Sequence, residues 1–305
     1  MDMRAVLSVL LSVPAACFAQ SVISAHSGVV QYVEGTVTID GQEVHPKFAE
    51  FPDVKPNQVL ATADGRVEVL LTPGVFLRLA EDSSVRMISN SLSDTRLAVI
   101  SGSALVEIAE LLQNNAITFE AAGTQIVLPH KGLYRIDSDP ARLRVYDGQA
   151  RVGTDAPVVV RKGREVALDQ TALLAKDFEV KDTDAFYRWS ARRSEYVSEA
   201  NLASARVASN PESSGYVGAV ASPFGLWSWN PYFGMFTYLP GDGIYMSPFG
   251  YAFYSPIVAP YVIVPASAPL APARPVLGGA SIPATRAGLA AAPLGRPMGR
   301  TAVHR

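Results

Sequence analysis

The chain is 305 residues long, room for about two domains at roughly 150 residues each, with enough chain to bury a core. Its 26 Lys and Arg against 28 Asp and Glu leave a formal charge of -2, which excludes the basic excess of a general nucleic-acid binder. A single Cys excludes a disulfide framework and a Cys-based zinc site, and 49% hydrophobic residues exclude a wholly disordered chain.

Residues 1–19 combine Arg4, an apolar run from Ala5 to Val13, Pro14 and a small-residue end before Gln20. This pattern reads as a secretory signal peptide cleaved after Ala19, so the mature chain is expected to be exported, to the periplasm or the cell surface. The apolar run is too short to span a bilayer. Pro14 stands where a lipoprotein signal would carry an aliphatic residue ahead of Cys17.

From residue 28 to residue 168 the apolar period is 2, with turn residues every 8 to 12 positions. Strands are expected at 29–39, 66–71, 75–79, 85–88, 96–100, 104–108, 116–120, 125–128, 132–137, 142–146, 149–152, 158–160 and 165–168. Asp40-Gly41, Asp64-Gly65 and Asp147-Gly148 are turn dipeptides, and Tyr146-Asp-Gly-Gln149 predicts a hairpin. Short strands without βαβ alternation predict an all-β fold: a short-stranded sandwich or roll, or a short β-helix. Residues 106–115 read as a strand turning at Gln113-Asn-Asn115.

The same stretch has a recognisable order. Thr62-Ala-Asp-Gly-Arg-Val-Glu-Val-Leu70, Phe76-Leu-Arg-Leu79 and Arg96-Leu-Ala-Val-Ile-Ser-Gly-Ser-Ala-Leu-Val-Glu107 resemble the FecR-like domain of bacterial envelope sensors. Ile117-Thr-Phe-Glu-Ala-Ala-Gly-Thr124, Gly132-Leu-Tyr-Arg-Ile136, Arg144-Val-Tyr-Asp-Gly-Gln-Ala-Arg-Val152 and Val160-Arg-Lys-Gly-Arg-Glu-Val166 continue the resemblance over about half the chain. It implies an extracytoplasmic β domain that, in signalling members, relays receptor occupancy through a membrane helix to a sigma factor. Ahead of Gly28 only the signal stretch is read. A free-standing envelope use of the domain is therefore expected, with a sigma-pathway regulator as an alternative.

Residues 169–210 switch to a helical period. A helix is predicted over 183–208, capped by Thr183 or Asp184, with Arg188, Arg192 and Arg193 paired to Glu195 and Glu199 on a solvated face. The aromatic segment, 211–264, follows. Of the chain's 27 aromatic residues 13 lie between Ser222 and Val264, and prolines at 223, 231, 240, 248 and 256 forbid a spanning helix there. Short extended pieces joined by Pro/Gly turns are expected, either covering the sheets as an extra core layer or presenting their rings outward. In the outward case the candidate binding residues are Trp227, Trp229, Tyr232, Phe233, Tyr251 and Phe253. The final 41 residues carry five arginines and no acid; Arg286, Arg296 and Arg300 are candidate contacts to an anionic surface in a disordered tail.

No nucleophile, phosphate-loop, dinucleotide or zinc-protease motif occurs. His130 reads as a surface loop residue, His26 and His45 lack a third ligand, and Asp137 and Asp139 read as an Asx turn. The expected role is non-catalytic, without cofactor or metal: binding or scaffolding toward an envelope protein or cell-surface polymer. Peripheral membrane contact is compatible with it; nucleic-acid binding and a transmembrane helix in the mature chain are not expected. A carbohydrate-binding protein using the aromatic segment is the alternative from a different class.

Overall fold

The computed structural model describes residues 26–47, 50–210 and 225–263. The signal stretch, residues 211–224 of the aromatic segment, and Arg286, Arg296 and Arg300 of the tail lie outside them. The elements below belong to a unit ending at Val262; a second unit begins at Ile263.

Seventeen strands precede the helix among the described residues: β1 (Val29–Glu34), β2 (Val37–Ile39), β3 (Gln42–Glu43), β4 (Val59–Thr62), β5 (Arg66–Leu70), β6 (Val75–Leu79), β7 (Ser84–Ser91), β8 (Asp94–Ser101), β9 (Ser103–Ile108), β10 (Ala116–Ala121), β11 (Thr124–Val127), β12 (Gly132–Ser138), β13 (Ala141–Asp147), β14 (Gln149–Val152), β15 (Val158–Arg161), β16 (Arg164–Ala167) and β17 (Ala175–Asp177). They form an eight-stranded sheet, in the order β1-β5-β6-β9-β12-β13-β16-β17, and a nine-stranded sheet, in the order β15-β14-β11-β10-β8-β7-β4-β2-β3. The fold is all-β, a sandwich. Pairing is antiparallel except between β8 and β10, which run parallel with Ile117 opposite Thr95.

Alternation explains why the two sheets close on each other. Val67, Val69, Val75, Leu77, Leu79, Val106, Ile136, Leu143 and Val145 of one sheet share a core with Leu60, Val85, Leu97, Val99, Ile117, Phe119, Ile126 and Val152 of the other. The expected strand 29–39 is broken at Gly35, so that β1 enters the eight-stranded sheet and β2 the nine-stranded one.

The three Asp-Gly dipeptides have different fates. Asp40-Gly41 makes a two-residue hairpin between β2 and β3, both residues at positive φ. Asp147-Gly148 does not make the predicted hairpin: β13 belongs to the eight-stranded sheet and β14 to the nine-stranded one. Val145 and Val152 both point into the shared core, and burying both requires the chain to turn a corner across the sandwich. Gly148 sits at φ +82, where a Cβ would stand 2.4 Å from the carbonyl oxygen of Lys131. Asp64-Gly65 is a second such corner, between β4 and β5.

The helix α1 (Ala185–Ala208) begins two residues inside the predicted 183–208 span, with Asp184 as the cap, its side chain accepting from the Tyr187 amide at 2.8 Å. Residues 169–184, read as helical in period, are not helical, and Ala175–Asp177 pair with β16 instead. Phe186, Trp189, Arg193, Val197, Ala200, Ser204 and Ala208 mark its buried stripe. Two hairpins follow, β18 (Leu226–Asn230) with β19 (Met235–Leu239) and β20 (Ile244–Met246) with β21 (Ala252–Tyr254). Helix and hairpins pack on the outer face of the eight-stranded sheet, where Trp227, Tyr238 and Phe253 meet Phe76, Leu70 and Val29. The result is three layers.

Candidate functional site

The covered face of the eight-stranded sheet carries charges at alternate strand positions. Glu68 on β5 lies directly opposite Arg78 on β6, and Glu107 on β9 is opposite Phe76, diagonal to Arg78. All three side chains are fully buried. Arg78 Nε donates to Glu68 Oε2 at 2.8 Å and Arg78 Nη1 to Glu107 Oε2 at 2.6 Å. From α1, Arg193 Nη2 donates to Glu68 Oε1 at 2.8 Å and Ser194 Oγ to Glu107 Oε1 at 2.7 Å. Ser247, between β20 and β21, also donates to Glu107 Oε1. Gln31 donates to Glu68 Oε1 at 3.2 Å and accepts the Phe236 amide at 2.9 Å. Every carboxylate oxygen of the pair is bonded, and the partners come from all the layers of this side.

Burial would push the Glu68 carboxyl up, but the Arg193 and Arg78 guanidiniums, with hydrogen bonds from Arg193 and Gln31, outweigh it and hold it at about 2. Arg78 is held above the usual arginine value: its burial acts against the charge, and Glu107 and Glu68 more than offset it.

A second cluster surrounds Asp137 on β12. Its Oδ1 accepts from Ser103 Oγ at 2.6 Å and Arg135 Nε at 2.7 Å; its Oδ2 accepts from Arg144 Nη2 at 2.8 Å and Arg142 Nε at 3.1 Å. Burial raises the Asp137 carboxyl, and Arg135, Ser103 and Arg144 together lower it below its ordinary value. Arg135 continues to Asp184, the cap of α1, and lies over the Phe186 ring. The Asx turn expected at Asp137 is therefore replaced by an ion cluster, because β12 runs through Ser138 and delivers Asp137 among three arginines of β12 and β13.

The structure also corrects the solvated arginine face. Arg188 and Arg192 are exposed, but Arg193 turns inward, its guanidinium 4.0 Å from the Tyr32 ring centroid while it pairs with Glu68. Glu68 lies 125 residues earlier in the chain, out of reach of any i,i+4 argument.

The candidate rings do not form one outward platform. Trp227 is 1% exposed, edge-on to Phe76 at 5.1 Å, with its Nε1 donating to the Leu71 carbonyl; Phe253 is fully buried against Phe76 and Tyr238. Trp229 and Phe233 are half-buried, against Phe51 and Phe236 and against Tyr196, and Tyr251 is half-buried too. Tyr232, 79% exposed, projects to solvent. The extended pieces joined by Pro/Gly turns form as expected, but as a cover, because the outward positions Leu70, Phe76 and Leu105 of the sheet beneath are apolar.

His130 is exposed in the loop after β11, its carbonyl accepting from the Tyr134 hydroxyl at 2.9 Å. His26 and His45 are exposed. Among the described residues no group of three His, Cys, Asp or Glu is arranged to hold a metal ion. No helix among them is long and apolar enough to cross a membrane. A cleft of about 250 Å³ opens beside the corner at Gly148, lined by Lys131, Tyr146, Asp147, Lys162 and Tyr187, with Lys162 held by Asp147 at 3.0 Å.

The sequence reading missed Glu68, Arg78 and Glu107. Their signal was present: Val67-Glu-Val69, Leu77-Arg-Leu79 and Val106-Glu-Ile108 each set a charge between two core residues, on a face where Leu70, Phe76 and Leu105 also stand. Such a face must be covered, and a charge on a covered face needs a partner.

No family model matches the chain, and no curated protein matches it. Two solved structures titled as a "putative anti-sigma factor" from Parabacteroides distasonis ATCC 8503 are loosely similar, each at TM-score 0.35 and 11% identity. They cover 40% and 44% of this chain, which spans 61% and 62% of theirs.

Proposed function

We propose that this chain is an exported binding or scaffold protein of a bacterial envelope, non-catalytic, built on a FecR-like sandwich whose working surface is the outer face of the nine-stranded sheet. The observation that carries this reading is the asymmetry of the sandwich. One outer face is sealed by α1 and the hairpins, and its charges are bonded to one another. Over the other, no described element packs, and Ile100 and Val159 stand 48% and 43% exposed on it. Export is supported by the signal stretch, and the FecR-like assignment by the turn-and-strand order between Thr62 and Val166. The carbohydrate alternative, a platform of Trp227, Trp229, Tyr232 and Phe233, loses Trp227 to the core.

The test is co-sedimentation of the mature chain with isolated envelope fractions. Retention is expected, unchanged by Tyr232→Ala and reduced by Ile100→Asp with Val159→Asp. Absence of retention refutes the reading, as does retention indifferent to the open face. A regulator would differ by remaining membrane-bound in extracts of the native cell.

A further inference from the structure

The open face of the nine-stranded sheet has a pattern of its own. Leu97, Ile117, Phe119, Ile126 and Val152 point into the sandwich core, so Arg96, Thr118, Glu120, Val127 and Arg151 point outward. Register places Arg96, Thr118, Val127, Arg151 and Val159 in one row across β8, β10, β11, β14 and β15. Arg161 is diagonal to Arg151, and Arg86 on β7 lies opposite Ala98, beside the row. All four arginines are exposed. The side chains of Arg86, Arg151 and Arg161 have no hydrogen bond or ion pair among the described residues; Arg96 meets Asp94 through Nε at 3.2 Å. On β7, β8, β10, β11, β14 and β15 the outward acids are Asp94 and Glu120, against four arginines, and Glu43 stands apart at the β3 edge, on a chain whose formal charge is -2.

We infer that this row is the docking site of an extended acidic peptide segment of a partner protein, an inference that rests on the reading above and names the partner's chemistry. The spacing favours it. Arg96 and Arg151 are three strand steps apart, about 14 Å, and carboxylates at i and i+4 of an extended chain lie on one side about 13 Å apart. Each arginine presents a planar fork suited to a carboxylate. Thr118 and Val127 between them leave a low, neutral floor for the intervening residue. The usual strand twist also favours it: at about 20 to 25° per strand, three steps turn the sheet normal by about 60 to 75°, which suits a chain winding along the row better than one bilayer plane.

The experiment measures fluorescence anisotropy of a labelled synthetic peptide, β-prone and neutral except for glutamates at i and i+4, titrated with the full chain. Saturable binding is expected, weakened at least about tenfold by Arg96→Glu with Arg151→Glu and left unchanged by Arg192→Glu on the helix. Moving the second glutamate to i+2 is expected to weaken binding, since it falls short of Arg151. The inference is overturned if the double variant binds the peptide as the parent does, if the two spacings bind alike, or if the peptide fails while anionic vesicles or a soluble acidic polysaccharide bind. Envelope retention that survives the double arginine variant but not the Ile100→Asp, Val159→Asp variant overturns the inference and leaves the wider reading standing.

Discussion

Replacing Arg78 with Met removes the cation shared by two fully buried carboxylates while keeping an unbranched apolar stem in its place. Glu68 keeps Arg193 and Gln31; Glu107 is left with two serine hydroxyls and no cation. Breaking one partner out of a buried ion cluster costs about 3 to 5 kcal/mol, because an uncompensated charge stays behind. For a folded unit of this size each kcal/mol lowers Tm by roughly 2 to 4 °C, so a fall of roughly 6 to 20 °C is expected at pH 7. The pH dependence separates this cause from loss of packing. In the parent, Glu68 titrates at about 2 in the folded state against 4.5 unfolded, so it contributes stability above pH 4.5 that is lost as pH falls toward 2. Without Arg78, burial has less opposition, and the folded-state value of Glu68 rises. Protonation then relieves the variant at a pH where the parent is beginning to lose stability. The deficit, measured by urea unfolding at pH 7 and at pH 4, is therefore expected to narrow on acidification. A deficit below about 1 kcal/mol at pH 7, or one that is the same at both pH values, would refute this account of the cluster.

Trp227→Ala is expected to cost about 3 to 5 kcal/mol and Tyr232→Ala within about 0.5, read from urea midpoints, since the first ring is buried and the second is 79% exposed. Asp184→Ala removes the cap of α1 and should cost about 1 kcal/mol, whereas Asp184→Ser, which restores the acceptor, should recover part of it. Arg193→Leu should loosen the cover before it unfolds the sandwich; hydrogen exchange would then rise in the two hairpins at conditions where β9 and β12 stay protected. Limited proteolysis of the protein is expected to spare residues 226–262, and early cleavage there would contradict their packing on Phe76 and Leu70.

Much of the fold could be read from local pattern. The period-2 alternation announced the strands and the all-β class, and Asp184 ahead of Ala185 announced α1, because both signals are written within a few residues of the atoms they place. The helical period read from residue 169 was misleading, since residues 175–177 form β17. Pairing between distant segments was not legible. Asp40-Gly41 and Asp147-Gly148 are the same dipeptide, yet one closes a hairpin and the other crosses between sheets; the difference lies in which sheet the following strand joins around their common core. Arg193 looked like a helix-surface charge beside Glu195, and it became a buried partner of Glu68 because β5, far earlier in the chain, holds a carboxylate under the helix. The aromatic segment was read with both outcomes open, core layer or outward platform. Ring content alone could not choose between them, since the choice depends on the sheet it meets: Leu70, Phe76 and Leu105 offer an apolar face, and burying rings there removes more nonpolar surface from water than displaying them would. Composition and periodicity state what each segment can do locally, and three-dimensional proximity, set by the whole chain's effort to bury its apolar faces together, states which of those possibilities is realised.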